Sequence, residues 1–259
     1  MPAETEWVAL REVVPAATAP LTVRGHEDRS VMLSTVLPLA WPAMVRADGK
    51  IFLGLQVGAR SGDASRDLGW ALSLALESTP GAAITPAGLP PADAPRLQDL
   101  LADDVLQTTL HDGFDYWVEG ASDPDGEVAA SIERANASVV PTARLTSVES
   151  AYWCRMRERS HLRWVLPTDE EPTLDALARV AVDGGLGLGE GTRYVGSFRA
   201  HGLLCPVWDL PVDLPAEAVE EPAAALRARL DAALAVTDPL TPDARRARAG
   251  LLSRQLTLR

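Results

Sequence analysis

The 259-residue chain has the composition of an ordinary folded protein. Hydrophobic residues make up 47% and charged residues 23% of it, so a packed core is expected and extensive disorder is not. Its 36 acidic and 24 basic side chains give a formal charge of −12, which repels nucleic acid and anionic lipid at long range. The charge therefore disfavours DNA and a membrane surface as partners.

The sequence predicts a cytoplasmic location. Its first residues lack the basic region and long apolar segment of a secretory signal, and no run reaches the about 18 apolar residues that a membrane helix needs. The chain has two cysteines, Cys154 and Cys205. Two are too few for a disulfide framework or a four-cysteine zinc site, so we expect both to be reduced thiols in the core.

The first half of the chain predicts strands followed by a helix. Thr5–Val14 is expected to be an edge strand. The dipeptide Asp48–Gly49 is a strong hairpin signal, and the apolar segments on either side of it are expected to pair inside a sheet. Asp63 is expected to cap a helix that runs to about Ser78.

The second half shows a similar order of elements. It predicts a hairpin over 151–167, a helix over 174–182, strands over 193–208 and a helix over 222–236. Thr241 followed by Pro242 marks the start of a last helix. Residues 241–259 hold five arginines and one aspartate, so this basic end is expected to pair with the acidic body of the protein.

These elements predict an α+β fold with a mixed or mainly antiparallel sheet and packed helices. Both halves follow the order β-β-α-β-α, which suggests an internal duplication. The halves meet near Pro141, so the chain forms either two domains, 1–141 and 142–259, or one continuous domain.

The hairpin at 152–166 carries the most structured pattern of charge. With a three-residue loop at Glu158–Ser160, strand alternation separates its side chains into two faces. The apolar face would hold Cys154, Met156, Leu162 and Trp164. The basic face would hold Arg155, Arg157, His161 and Arg163. This basic face predicts a docking surface for an anionic ligand, an acidic protein or RNA phosphates, whereas a solvated face neutralised by the chain's own carboxylates is the alternative.

Glycine-rich loops provide two further candidates. The loop 184–194 follows a helix and leads into a strand, so it is not a dinucleotide fingerprint, and it contains no phosphate-loop lysine. Either it is a plain connector, or Glu190, Thr192 and Arg193 contact a ligand. The loop 58–66 precedes a helix. Either its N–H groups bind an anion at the start of that helix, or Asp63 simply caps the helix.

Catalytic signatures are absent from the sequence. The four histidines show no metal-binding spacing with one another or with a cysteine, and no serine nucleophile motif occurs. We therefore predict no catalytic residue, no metal and no cofactor. An enzyme remains an alternative if Gly191, Arg193, His201 and Asp209 converge on one cleft.

Several segments carry a resemblance to a known family. The longest are Gly189-Glu190-Gly191-Thr192-Arg193-Tyr194 and Arg199-Ala200-His201-Gly202-Leu203-Leu204-Cys205-Pro206-Val207-Trp208-Asp209-Leu210. Over nearly its whole length the chain resembles an uncharacterised actinobacterial family that carries a domain of unknown function. Some members are labelled as topoisomerase or preprotein translocase components. The resemblance implies no catalytic residue.

The leading functional prediction is a noncatalytic binding protein. It would dock a protein or ribonucleoprotein partner through the basic face of the hairpin and the basic C-terminal helix. The first alternative is an enzyme that acts on an anionic, phosphorylated small molecule near the glycine-rich loop. The second alternative is a structural homodimer scaffold.

Overall fold

The computed structural model describes residues 2–57, 61–85, 88–102, 105–119 and 126–254. They form an α+β fold with two mostly antiparallel sheets, as predicted. The helices are α1 (Glu4–Glu12), α2 (Ala64–Glu77), α3 (Leu97–Leu100), α4 (Glu127–Asn136), α5 (Glu170–Val182), α6 (Glu217–Leu234) and α7 (Pro242–Leu252). The strands are β1 (Ala17–Leu21), β2 (Val31–Ser34), β3 (Ala43–Val45), β4 (Ile51–Gly54), β5 (Ala83–Ile84), β6 (Thr109–Leu110), β7 (Thr142–Arg144), β8 (Ala151–Met156), β9 (Arg159–Trp164), β10 (Arg193–Ala200) and β11 (Leu203–Leu210).

The chain forms two compact units. Met1–Ala3 and Val14–Val139 make up the first unit, and Glu4–Val13 together with Val140–Arg259 makes up the second. Helix α1 stands at the start of the sequence but belongs with the C-terminal segment. The division predicted near Pro141 had placed the residues of α1 in the N-terminal half.

The first unit contains a six-stranded sheet with the order β5-β3-β4-β2-β1-β6. Its β3–β4 hairpin turns at Asp48–Gly49, as predicted, and both strands lie inside the sheet. Strands β2 and β4 are parallel, whereas the other pairs are antiparallel. Helix α2 begins where predicted, because the Asp63 carboxylate accepts the Arg66 backbone N–H at 3.1 Å.

The second unit contains an antiparallel sheet with the order β10-β11-β9-β8-β7. Helix α5 packs against α6 and α7. Apolar side chains of the sheet and helices form one core, which includes Trp153, Leu162, Trp164, Leu177, Trp208 and Leu226. The last helix starts at its predicted cap, where the Thr241 hydroxyl accepts the Ala244 backbone N–H at 3.2 Å.

The edge strand predicted for Thr5–Val14 is wrong, because this segment forms helix α1. Glu4 and Glu6 lie in its first turn and Arg11 in its last, which matches the polarity of a helix. The Glu6 carboxylate is buried and accepts the Tyr152 O–H at 2.5 Å. This long-range bond holds α1 on the sheet of the second unit, and the local sequence gives no signal for it.

The two sheets differ in strand order and in pairing direction. The first sheet contains the parallel pair β2–β4, whereas the second sheet is antiparallel throughout its described strands. The α+β prediction is therefore confirmed, and the internal duplication remains a prediction.

Candidate functional site

The β8–β9 hairpin turns through two residues, Arg157 and Glu158, and not through the predicted three-residue loop at 158–160. Its cross-strand pairs are Tyr152–Arg163, Trp153–Leu162, Cys154–His161, Arg155–Ser160 and Met156–Arg159. The predicted division into an apolar and a basic face is therefore wrong. A turn shorter by one residue shifts the register and exchanges the faces of one strand relative to the other.

The observed register buries the largest apolar side chains of the hairpin together. Trp153, Leu162 and Trp164 share the core face. Burying two indoles stabilises the sheet more than burying a cysteine and a methionine would, because aromatic side chains remove the most area from water. Arg155 also lies on this core side, and its guanidinium carbon is 5.2 Å from the centre of the Trp153 ring. Arg155 is therefore separated from the other predicted basic residues.

The opposite face of the sheet carries a cluster of basic side chains around one carboxylate. We call Arg159, His161, Arg193 and Asp209 the Asp209 cluster. An Arg159 Nη1 donor lies 3.3 Å and an Arg193 Nη2 donor 3.0 Å from Asp209 Oδ2. His161 Nδ1 lies 3.1 Å from Asp209 Oδ1. The cluster forms because His161 and Arg193 both pair with Asp209 across neighbouring strands.

The two arginines of the cluster keep most of their hydrogen-bonding capacity. A guanidinium has five N–H donors, and Arg159 and Arg193 each direct one of them to Asp209. Their side chains are 63% and 71% exposed, whereas Asp209 is 14% exposed. Within the described part of the chain, no other side chain accepts a bond from either arginine. These free donors face solvent and are available to an external anion.

Arg163 extends the cationic surface along β9. It lies two residues beyond His161 on the same face, and its Nη2 donates to the Met156 sulfur at 3.0 Å. Three guanidinium charges, from Arg159, Arg163 and Arg193, face one carboxylate charge from Asp209. The local surface therefore keeps an excess of positive charge on a protein whose overall charge is negative.

Burial lowers the pKa of His161, and the neighbouring Arg163 and Arg159 charges lower it further, while Asp209 acts in the opposite direction. The Nδ1 atom is close to Asp209 but not aligned for a hydrogen bond. The lowered pKa favours the neutral form of His161 near pH 7.

This pKa predicts a loss of stability in mild acid. Because the folded-state pKa of His161 lies below the unfolded value of about 6.5, the unfolded chain binds the proton first as the pH falls. The stability contributed by neutral His161 is complete above about pH 6.5 and decreases below it. His161→Asn should reduce this dependence in urea unfolding at about pH 7.5 and about pH 5.5. Equal pH dependence in the variant and the natural protein would contradict the assignment.

The glycine-rich loop 184–194 leads into the strand that begins with Arg193. The polar side chain of Thr192 is already hydrogen-bonded within the loop. The Thr192 hydroxyl donates to the Gly189 carbonyl at 2.7 Å and accepts the Leu188 backbone N–H at 2.9 Å. Gly191 has a φ of +71° and lies against Pro211, two residues after Asp209. Gly191 thus approaches Arg193 and Asp209, as the cleft hypothesis required, but Thr192 has no free hydroxyl hydrogen for a ligand.

His201 lies elsewhere, so the predicted convergence of four residues on one cleft is wrong. It stands in the β10–β11 turn, with its Nε2 3.1 Å from the Glu12 carboxylate. The eight-residue strand β10 separates it from Arg193 by roughly 25 Å. Arg157 is also outside the cluster: it lies in the hairpin turn with a φ of +56° and is exposed.

The remaining candidates have structural roles. Both cysteines are buried, and burial raises the pKa of each thiol, so the prediction of core thiols is confirmed. The loop 58–66 lies partly outside the described residues, and Asp63 caps α2 there as the simpler interpretation predicted. In α7, Arg248 pairs with Glu171 and with Asp175, the latter at 2.7 Å. The basic end therefore does pair with acidic residues of its own unit.

Neither a metal-binding group nor a membrane-spanning helix occurs in the part of the chain that the structure describes. No group of three or more histidine, cysteine, aspartate or glutamate side chains in them is arranged to hold a metal ion. None of the described helices combines the length and the apolar character of a membrane-spanning segment.

The sequence prediction missed the role of Arg159, which it assigned to a loop. It also did not place Asp209 beside His161. The spacing of Trp153, Leu162 and Trp164, which share one buried face with the observed two-residue turn, is the signal that could have placed Arg159 in a strand. The pairing of Asp209 with His161 joins β11 to β9 and has no local sequence signal.

Fold and site together define an α+β protein with a solvent-facing cationic cluster on one sheet. The chain matches over residues 1–259 the family described as "Family of unknown function (DUF5926)", and it belongs to that family. The predicted resemblance to a family with a domain of unknown function is confirmed. No curated protein and no solved structure matches the chain.

Proposed function

We propose that this protein is a noncatalytic binding module that captures an acidic segment of a partner protein at the Asp209 cluster. The observation that carries the proposal is the sharing of one carboxylate by two exposed guanidiniums, those of Arg159 and Arg193. We further propose that it acts in the cytoplasm, since Cys154 and Cys205 are both unpaired thiols.

The geometry suits compact carboxylates. Arg159 on β9 and Arg193 on β10 are separated by β11, and neighbouring strands lie about 4.8 Å apart, so the two guanidiniums arise from positions about 10 Å apart. Asp209 lies between them as an internal counter-ion. A glutamate or aspartate of a partner can bind the outward donors of either arginine, because the guanidinium fork matches a carboxylate.

The surroundings favour an acidic peptide over RNA. Met156 pairs with Arg159 across the hairpin and is 39% exposed. This apolar side chain can contact an apolar residue of a peptide. Single-stranded RNA usually stacks its bases on aromatic rings, and the large exposed apolar side chains of the described residues include no aromatic one. The charge of −12 also disfavours an extended polyanion.

The enzyme and homodimer alternatives receive less support. The enzyme hypothesis placed His201 in a cleft with Arg193, and these residues lie at opposite ends of β10. The homodimer hypothesis makes no use of the Asp209 cluster. Both remain predictions from the sequence.

The proposal predicts that charge reversal weakens peptide binding only at the cluster. The probe is an acetylated six-residue peptide of four glutamates and two leucines, measured by isothermal titration calorimetry at low salt. Arg159→Glu combined with Arg193→Glu should weaken binding by about tenfold or more, because it replaces two attractions with two repulsions.

The matched control is Arg155→Glu combined with Arg199→Glu, which changes the net charge equally. Arg155 is on the core side of the hairpin, and Arg199 pairs with Glu170 near the far end of β10. This variant should bind the peptide within about twofold of the natural protein. Equal weakening of peptide binding in both variants would show a general effect of charge and would reject the site. Tighter binding of a uridine-rich RNA than of the peptide would reject an acidic peptide as the class of ligand.

A further inference from the structure

The first unit contains a largely apolar cavity of about 230 Å³. It is lined by parts of four segments: residues 39–42, the residues Val57 and Ser61 before α2, the first half of α2, and Thr85 with residues 88–90. Trp41 and Trp70 are two of the lining residues. The volume is below the range of about 300–1,000 Å³ typical of drug-sized ligands, so it fits a small molecule.

Packing of the first unit does not explain the exposed apolar side chains at the opening of this cavity. Leu39 is 86% exposed and Leu89 is 65% exposed, and both line the opening. Leu39 and Ala40 each have a φ of +53°, a left-handed conformation that side-chain-bearing residues rarely adopt. Such strained backbone is concentrated at ligand-binding sites. Here it holds an apolar side chain at the mouth of a cavity.

One acidic group gives the cavity a charge. Asp67 is the charged side chain among the described lining residues. Its carboxylate accepts the Ser61 backbone N–H at 3.0 Å, which fixes its orientation. A cavity lined by a carboxylate and two tryptophans is complementary to an organic cation, because indole faces and carboxylates both attract positive charge.

We propose that this cavity binds a small organic cation that carries an apolar group, of the quaternary-ammonium class. The indoles of Trp41 and Trp70 would contact the cation and its apolar group, and Asp67 would neutralise the charge. Leu39 and Leu89 would cover the apolar part at the opening. The site is independent of the Asp209 cluster, which lies in the other unit and has the opposite charge.

The test is a titration with phenyltrimethylammonium, followed by the indole N–H signals of protein labelled with ¹⁵N-tryptophan. Of the seven tryptophans, Trp41 and Trp70 should show saturable shifts, with assignments from Trp41→Phe and Trp70→Phe. Benzyl alcohol, a neutral probe, should bind at least about fivefold more weakly. No saturable shift at either indole, or equal affinity for the neutral probe, would overturn the proposal.

Two variants separate charge from shape. Asp67→Asn should weaken phenyltrimethylammonium binding by about fivefold, whereas Asp28→Asn, an equal change of charge at an exposed loop position, should leave it within about twofold. Leu39→Asn removes an exposed side chain at a position where asparagine tolerates the positive φ, so it should weaken binding without lowering the melting temperature. Unchanged affinity in both Asp67→Asn and Leu39→Asn would reject the site.

Discussion

Replacing Trp208 with alanine should lower the free energy of unfolding of the second unit by about 3–5 kcal/mol. Trp208 is fully buried in the middle of the core. Its ring lies 6.3 Å from that of Trp164 and 5.6 Å, edge to face, from that of Tyr194. Its indole N–H donates to the Leu186 carbonyl at 2.7 Å, so it also anchors the loop that leads to Arg193. Urea unfolding followed by circular dichroism measures the change.

Two variants calibrate this prediction. Trp208→Phe keeps an aromatic ring in the core, so it should cost less than the alanine variant, although both variants remove the donor to the Leu186 carbonyl. Val182→Ala removes a side chain that is 46% exposed and should change stability by less than about 0.5 kcal/mol. A loss for Trp208→Ala no larger than that for Val182→Ala would show that the core is packed differently.

Gly69→Ala should destabilise the first unit by about 1–3 kcal/mol or more, although alanine is the better helix former. A Cβ atom at Gly69 would lie 2.2 Å from the Pro95 carbonyl oxygen and 2.9 Å from the backbone nitrogen of Leu97. Both are backbone atoms, so they cannot move aside as a flexible side chain can. The close approach of α2 and α3 therefore requires glycine at this position.

The matched control for Gly69 is Gly250 in α7, where an added Cβ meets open space. Gly250→Ala should stabilise the protein by up to about 1 kcal/mol through helix propensity alone. The two identical substitutions should thus change the melting temperature in opposite directions. A rise for both would contradict the packing of α2 on α3.

Features with local signals were predictable from the sequence. The hairpin turn at Asp48–Gly49 and the caps at Asp63 and Thr241 depend on residues within a few positions of one another. Helix α1 was not predictable, because its first turn is held by a bond between Glu6 and Tyr152, 146 residues apart in sequence.

In the candidate sites, too, features with a local sequence signal were predictable and features that depend on distant residues were not. Strand alternation correctly placed His161 and Arg163 on one face. It failed for Arg155 because two-residue and three-residue turns are both compatible with the local sequence, and only burial of Trp153 and Trp164 together selects between them. The cavity at Trp41 is lined by residues of four separate segments, so no local pattern predicts it.

We propose that an external carboxylate binds the outward donors of Arg159 and Arg193, beside the internal carboxylate of Asp209. Titration of Asp209→Asn with the glutamate–leucine peptide tests it most directly, with thermal unfolding to verify the fold. Removing the internal carboxylate should tighten peptide binding by about fivefold, since one nearby charge contributes about 1 kcal/mol in water. Unchanged or weaker binding would show that the cluster is only an internal ion-pair network.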